Sequence, residues 1–224
     1  VWTAAGALLL VLFVPAVAGL GIAVQSRGTL DGVLAGTWVL AMLAALRLGG
    51  RLAGDGLRAY VVPGVGETRW LACRGFGFGV VLAAMIVAVL GTCLLLAPVR
   101  GAAGLAVHAG SCFLEAWVWM WAAALLSIWA RPWLAAAAVV CLGWVGHVEQ
   151  DLVGALAWWG LDGVGRVAML LLPSFEGTDV QGAIVAGVEL SPTPILVGAA
   201  QLLCWSMVLA GATGMSMARR DRLP

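Results

Sequence analysis

Long apolar runs interrupted by a strip of arginines constrain this chain more than any other feature. Residues 30–46, apolar apart from Asp31 at the start, and the uncharged residues 76–97 are each, at about 1.5 Å per helical residue, long enough to cross a bilayer core of about 30 Å. Between them, residues 47–74 hold Arg47, Arg51, Arg58, Arg69 and Arg74, five of the twelve arginines, together with Asp55 and Glu67. Arginine concentrates in short cytoplasmic loops, so the strip reads as an inner loop between two spans and sets the orientation of the chain.

The rest of the composition agrees. The 224 residues are 63% hydrophobic and 10% charged, with a mean hydropathy of +1.05, whereas soluble domains are about one-quarter charged. An integral membrane protein is expected. The net charge of +1 and the lack of any basic run before Arg219, Arg220 and Arg222 exclude nucleic acid as a partner. There is no lysine, which removes a phosphate-binding GxxxxGK[ST] loop and any Schiff-base chemistry, and no GxSxG or HExxH pattern is present. The chain is therefore not expected to be an enzyme. Its five cysteines are scattered singly through apolar runs and are expected to be packing residues; the alternative is a disulfide between Cys93 and Cys112, which both fall near the expected outer surface.

The expected fold is all-α and polytopic, a single permease-like domain over residues 1–224. Six transmembrane helices are expected at about 4–24, 30–48, 75–97, 112–130, 133–148 and 195–217. The opening Val1 leads us to expect a preceding segment, and residues 4–24, which lack a basic flank and a cleavage site, read as a retained span kinked at Pro15. Thr29 or Asp31 is expected to cap span 2 and Ser111 to cap span 4, with Arg100 and His108 in an outer loop. Arg131 and Pro132 make a short inner turn before span 5. Residues 49–74 form the inner loop, and residues 149–194 an outer, partly re-entrant segment of short helices broken by Gly160, Gly163, Gly165 and Pro173. Charge decides that last placement. With both termini cytoplasmic, nine arginines lie inside and Arg27, Arg100 and Arg166 outside; a further crossing would carry the terminal arginines outward. Irregular backbone at membrane depth needs protein or a cavity to cover it, so this segment should line something.

Apart from Asp31 at the very start of span 2, Glu115 is the one acid inside an expected span and hence a candidate intramembrane polar site for substrate or proton; the plainer reading places it one turn after Ser111, complementing a helix N-terminus. His147 ends span 5 near Glu149 and Asp151, where an imidazole can satisfy terminal carbonyls. Six acids fall in the outer segment, yet no spacing singles out a catalytic pair. Among the twelve tryptophans, Trp117 and Trp121 share one face of span 4 while Trp119 points elsewhere, as packing or lipid-contacting residues would.

Three local features, in this order and topology, resemble the type-2 permease subunits of ATP-binding-cassette (ABC) exporters. The inner loop reads Arg51-Leu-Ala-Gly-Asp55-Gly-Leu-Arg58-Ala-Tyr60-Val-Val-Pro63, then Glu67-Thr-Arg69; the outer segment holds Leu171-Leu-Pro173-Ser-Phe175-Glu176; the chain ends Ala218-Arg219-Arg220-Asp221-Arg222-Leu223. The resemblance covers essentially the whole chain. It departs from the family at Gly54 and Gly56, which weaken a helix, and at Arg222, which interrupts the terminal Arg-Arg-Asp-Leu. The resemblance implies a coupling helix at 51–62 that docks on a separate ATPase through Leu52, Asp55, Leu57, Arg58 and Tyr60. It also implies an outer gate that includes Asp162, Arg166, Pro173, Phe175 and Glu176. The implied partners are one or more ABC ATPase subunits carrying ATP and magnesium, a second permease copy or homologue, and the lipid of an inner or cytoplasmic membrane; no cofactor is expected in this chain. The alternative function is a non-transporting anchor or assembly subunit of a larger complex.

Overall fold

Hydrocarbon gives helices no hydrophobic reason to associate, so spans pack where small side chains let backbones approach. Helix α3 (Ala102–Trp129) is built that way, and the other helices are arranged around it. The computed structural model describes residues 27–52, 67–96, 102–161, 163–165, 167, 173, 175 and 178–220. Besides α3 these form α1 (Arg27–Leu52), α2 (Glu67–Leu96), α4 (Pro132–His147), α5 (Glu149–Trp158), α6 (Gln181–Ala186) and α7 (Pro192–Arg220), with no strand among the described residues.

Ala116, Ala123 and Ala124 of α3 are buried against Ala41, Ala45 and Gly49 of α1; a Cβ at Gly49 would overlap the Met120 carbonyl and Ala123. The α3 tryptophans are seated on glycines. Trp121 and Trp117 lie over Gly75 and Gly79 of α2, and Trp119 lies over Gly143 of α4. Trp117 and Trp121 meet edge to face at 6.0 Å on one face of α3, with Trp119 on another, as their spacing implies. These tryptophans pack between helices.

The same contacts give the helix directions. Trp38 and Gly49 of α1 meet Glu115 and Met120 of α3 in ascending order, so α1 and α3 are parallel. Gly75 and Gly79 meet Trp121 and Trp117 in descending order, so α2 is antiparallel to α3; Gly143 and His147 place α4 likewise. The C-terminal half of α7 (Met215, Ala218) lines a groove with the N-terminal half of α2 (Leu71, Phe76), so α7 runs with α1 and α3. One end of the bundle therefore gathers Arg47, Arg51, Arg69, Arg131 and Arg219, all exposed. Arg74 lies further in, half-buried, its guanidinium 5.1 Å from the Trp70 ring centre and 5.2 Å from that of Phe78.

Three stretches are long and apolar enough to cross a membrane, Arg69–Gly91, Ala103–Trp129 and Pro192–Arg219, and a fourth counts if α4 and α5 are one span bent by 73°. Among the described residues the fold is all-helical, and the length and apolar character of these helices are those of a membrane protein. Of the six expected spans, residues 4–24 lie outside the described residues and α1 is not among the three.

Several expected boundaries are corrected. Both ends of the arginine strip are helical: α1 continues to Leu52 and α2 begins at Glu67, while residues 53–66 lie outside the described residues. Thr29 and Asp31 fall inside α1 and not at its cap. α3 starts ten residues before the expected start of span 4 and takes His108 and Ser111, expected in a loop and at a cap, into its buried interior. The reason is tertiary: His108 Nε2 lies 3.3 Å from the Leu34 carbonyl of α1 and 3.4 Å from Cys112 Sγ, so the imidazole has partners inside the bundle. α4 has the expected limits, with Pro132 in its first turn, where a missing N–H costs nothing.

Candidate functional site

Glu115 is thirteen residues into α3, about 20 Å from the helix start, and 2% exposed. The reading of it as a carboxylate complementing a helix N-terminus is therefore wrong. A carboxyl at that depth needs hydrogen-bond partners, because burying it unpaired costs several kcal/mol. Its Oε2 accepts from Trp38 Nε1 of α1 at 2.6 Å, and Oε1 lies 3.3 Å from the Thr178 hydroxyl. His147 Nε2 is 3.5 Å from Oε2, an electrostatic contact at the edge of hydrogen-bonding range.

The pairing of Glu115 with His147 follows from the short Arg131–Pro132 turn. Counting from that turn, Glu115 is fourteen residues back from Trp129 and His147 fifteen residues on from Pro132, so two antiparallel helices bring them to the same depth. α4 ends there, after 16 residues and about 24 Å, short of a bilayer core of about 30 Å. The His147 ring is boxed in: Trp38 meets it edge-on at 5.4 Å and Phe175 lies 5.0 Å away at 30°.

Beyond α4 the chain turns by 73° into α5 and then returns to the same depth. Gly146 makes the return contact. The Pro173 carbonyl and the Phe175 ring occupy the space a Cβ at 146 would need, and the Phe175 N–H donates to the Gly146 carbonyl at 3.4 Å. Phe175 is fully buried, its carbonyl accepts from the Thr178 and Asp179 N–H groups at 3.1 Å each, and the Thr178 hydroxyl sits between that carbonyl (2.9 Å) and Glu115. One returning turn thus supplies the wall against His147 and the hydroxyl beside the carboxyl. The left-handed Gly160 and Gly187, at φ 73° and 69°, provide turns that residues with a Cβ would strain to adopt.

These groups border a cavity of about 370 Å³ that also reaches Trp119, Trp144 and the exposed Asp179. The chain has no lysine, and among the described residues no arginine lines it. Among the described residues no three His, Cys, Asp or Glu side chains converge as metal ligands. A second cavity, of about 590 Å³, lies between α2, α3 and α7 and is almost entirely apolar, bordered by Phe76, Trp117, Trp121 and Met207.

Of the site residues expected from sequence, Glu115 is at the centre, with His147 against it, and Phe175 and Pro173 belong to the returning turn. Leu52 is fully buried in the chain's own core, so it does not stand on a free docking stripe. Asp55, Leu57, Arg58, Tyr60, Asp162, Arg166 and Glu176 lie outside the described residues. Sequence reasoning misses Trp38, Thr178 and His108 at this centre. A signal exists on α3, where His108, Ser111, Cys112, Glu115 and Trp119 follow the i, i+3, i+4, i+7, i+11 spacing of one helical face. It can be read only with the helix started early enough.

Comparison with protein-family models, curated proteins and solved structures finds no match to this chain.

Proposed function

We propose that this chain is the permease half of an ATP-driven exporter, pairing with a second copy or a homologous subunit, with a separate ATPase at the arginine-rich end. The observation that carries the reading is the return of Pro173, Phe175 and residues 178–180 to the depth of Glu115, which makes them a cover over a polar centre inside the bundle. A passive anchor has no need of such a centre; a carrier does, since buried polar groups facing a cavity are where cargo is held. Six spans with both termini inside, and residues 53–62, beyond the buried Leu52, as the docking element, complete the proposal. The gathering of exposed arginines at one end of the helices supports that orientation. ATP-linked movement of the bundle would open and close the returning turn as a lid.

The test is co-purification with an ABC ATPase subunit, the partner the proposal requires. Asp55→Arg with Arg58→Glu should weaken assembly and lower ATP turnover, and unaltered assembly and turnover would remove the docking assignment. Normal assembly without ATP-linked transport would instead support the anchor alternative. One observation favours an intramembrane enzyme as second reading, the approach of His147 to Glu115, since a carboxyl and an imidazole in contact can move a proton. Loss of a chemical activity in Glu115→Gln and His147→Gln, with assembly intact, would select it.

A further inference from the structure

We propose that the cavity between α1, α3 and α4 binds a small organic cation that also carries a hydrogen-bond-accepting oxygen, of the amino-ester or amino-alcohol type. It rests on the export reading only in calling this ligand cargo. The floor is the Glu115 carboxyl, and Asp179 stands exposed on the border. Both are oxygen acceptors. Among the described residues no guanidinium borders the cavity, and its two imidazoles, His108 and His147, already lie beside the Leu34 carbonyl and Glu115. Among the described lining residues an anion would meet two carboxyl groups and no fixed positive charge, whereas a cation finds an acceptor at the border and another at the floor.

Three indoles, Trp38, Trp119 and Trp144, border the same space, with Trp38 and Trp119 edge to face at 6.0 Å. Indole faces attract cations more strongly than other aromatic rings, and more so where water is excluded. One of these indoles also specifies the second feature of the ligand. Trp119 is 5% exposed and its Nε1–H has no hydrogen-bond acceptor among the described residues. A buried donor left without an acceptor is uncommon in a folded protein, and a ligand oxygen beside the cationic nitrogen would complete it. The cavity volume of about 370 Å³ lies within the usual range for small-molecule sites. Its polar lining distinguishes it from the apolar α2–α7 groove, which suits a hydrocarbon chain better than an ammonium group.

Two probes of nearly identical shape isolate the charge: acetylcholine and its neutral carbon isostere, 3,3-dimethylbutyl acetate. Calorimetric titration of the full chain in lipid nanodiscs should detect acetylcholine at millimolar concentration or below, with the isostere about tenfold weaker. Glu115→Gln should lose about tenfold in acetylcholine affinity, and Asp179→Asn, an exposed change that leaves the core alone, should lose several-fold. Trp119→Phe, which removes the free N–H, should lower affinity several-fold, while Trp158→Phe on the exposed face of α5 should change nothing. Equal affinity for the two probes would overturn the proposal, as would no binding of acetylcholine to monodisperse protein, or unchanged binding in both carboxyl variants. Binding is read without any ATPase, so a failed titration leaves the export reading standing, and failed assembly with the ATPase leaves this site standing.

Discussion

Gly143→Ala tests the helix register that brings His147 to Glu115. A methyl group at 143 would overlap the six-membered ring of Trp119, which is 5% exposed and meets Trp38 edge to face at 6.0 Å, so the ring can yield only by moving into the cavity it borders. Overpacking of this kind costs about 1–3 kcal/mol. Replacing a helical glycine by alanine also returns about 1 kcal/mol of backbone propensity, leaving a net destabilisation of about 0–2 kcal/mol. Gly77→Ala on α2 is the matched control, because nothing lies within 4 Å of its would-be Cβ and it keeps the propensity gain alone. The propensity contribution cancels in the comparison, so the two variants should differ by the overpacking cost, about 5–140-fold in the folding equilibrium. Trp119→Phe removes the ring atoms that the new methyl meets, so the double variant should be more stable than the sum of the single changes predicts, by about 1 kcal/mol or more. Reversible denaturation in mixed micelles reads all four corners of this cycle. Equal stability of Gly143→Ala and Gly77→Ala, or strict additivity with Trp119→Phe, would refute the α3–α4 packing and with it the depth match of the two polar residues.

Trp38→Phe removes the N–H donated to Glu115 and should destabilise the protein by about 1–3 kcal/mol in the same denaturation assay, with a smaller effect once Glu115 is also replaced by Leu. Phe175→Ala empties a fully buried site and should cost about 3–5 kcal/mol locally, seen as faster hydrogen exchange at residues 178–186 with the α1–α3 core little changed. Single cysteines placed at Arg131 and Arg219 in a cysteine-free background should react with an impermeant maleimide from one side of the membrane, and one at Glu189 from the other. Labelling of Arg131→Cys and Arg219→Cys from opposite sides would contradict the helix directions.

The legible parts of the fold are those written in local sequence. α4 is readable to within a residue at either end because Arg131–Pro132 can only begin a helix, and its short length already implies that the chain beyond His147 stays near the membrane. The start of α3 is not legible, because glycines and a histidine before Ser111 read as a loop until the Leu34 carbonyl, 74 residues away, is known to lie beside that histidine. The same error misplaces Glu115. Put one turn from a helix end, it needs no further partner; put thirteen residues in, it requires Trp38, 77 residues away, and Thr178, 63 residues on. Pairings at such separations leave no trace in a single sequence. The glycines beneath the α3 tryptophans are equally silent, since thirty-one glycines offer far more candidate contacts than the fold uses.

Both the cover and the cation site depend on the turn after α4 coming back to Glu115. With the native cysteines replaced, Thr178→Cys and Glu115→Cys should be joined by a short bis-methanethiosulfonate reagent in monodisperse protein, because the two side chains they replace lie 3.3 Å apart. Thr193→Cys, exposed at the start of α7, should not be joined to Glu115→Cys. Linkage at 178 and not at 193 is the predicted result; linkage at both positions, or at neither while each thiol still reacts singly, would contradict it.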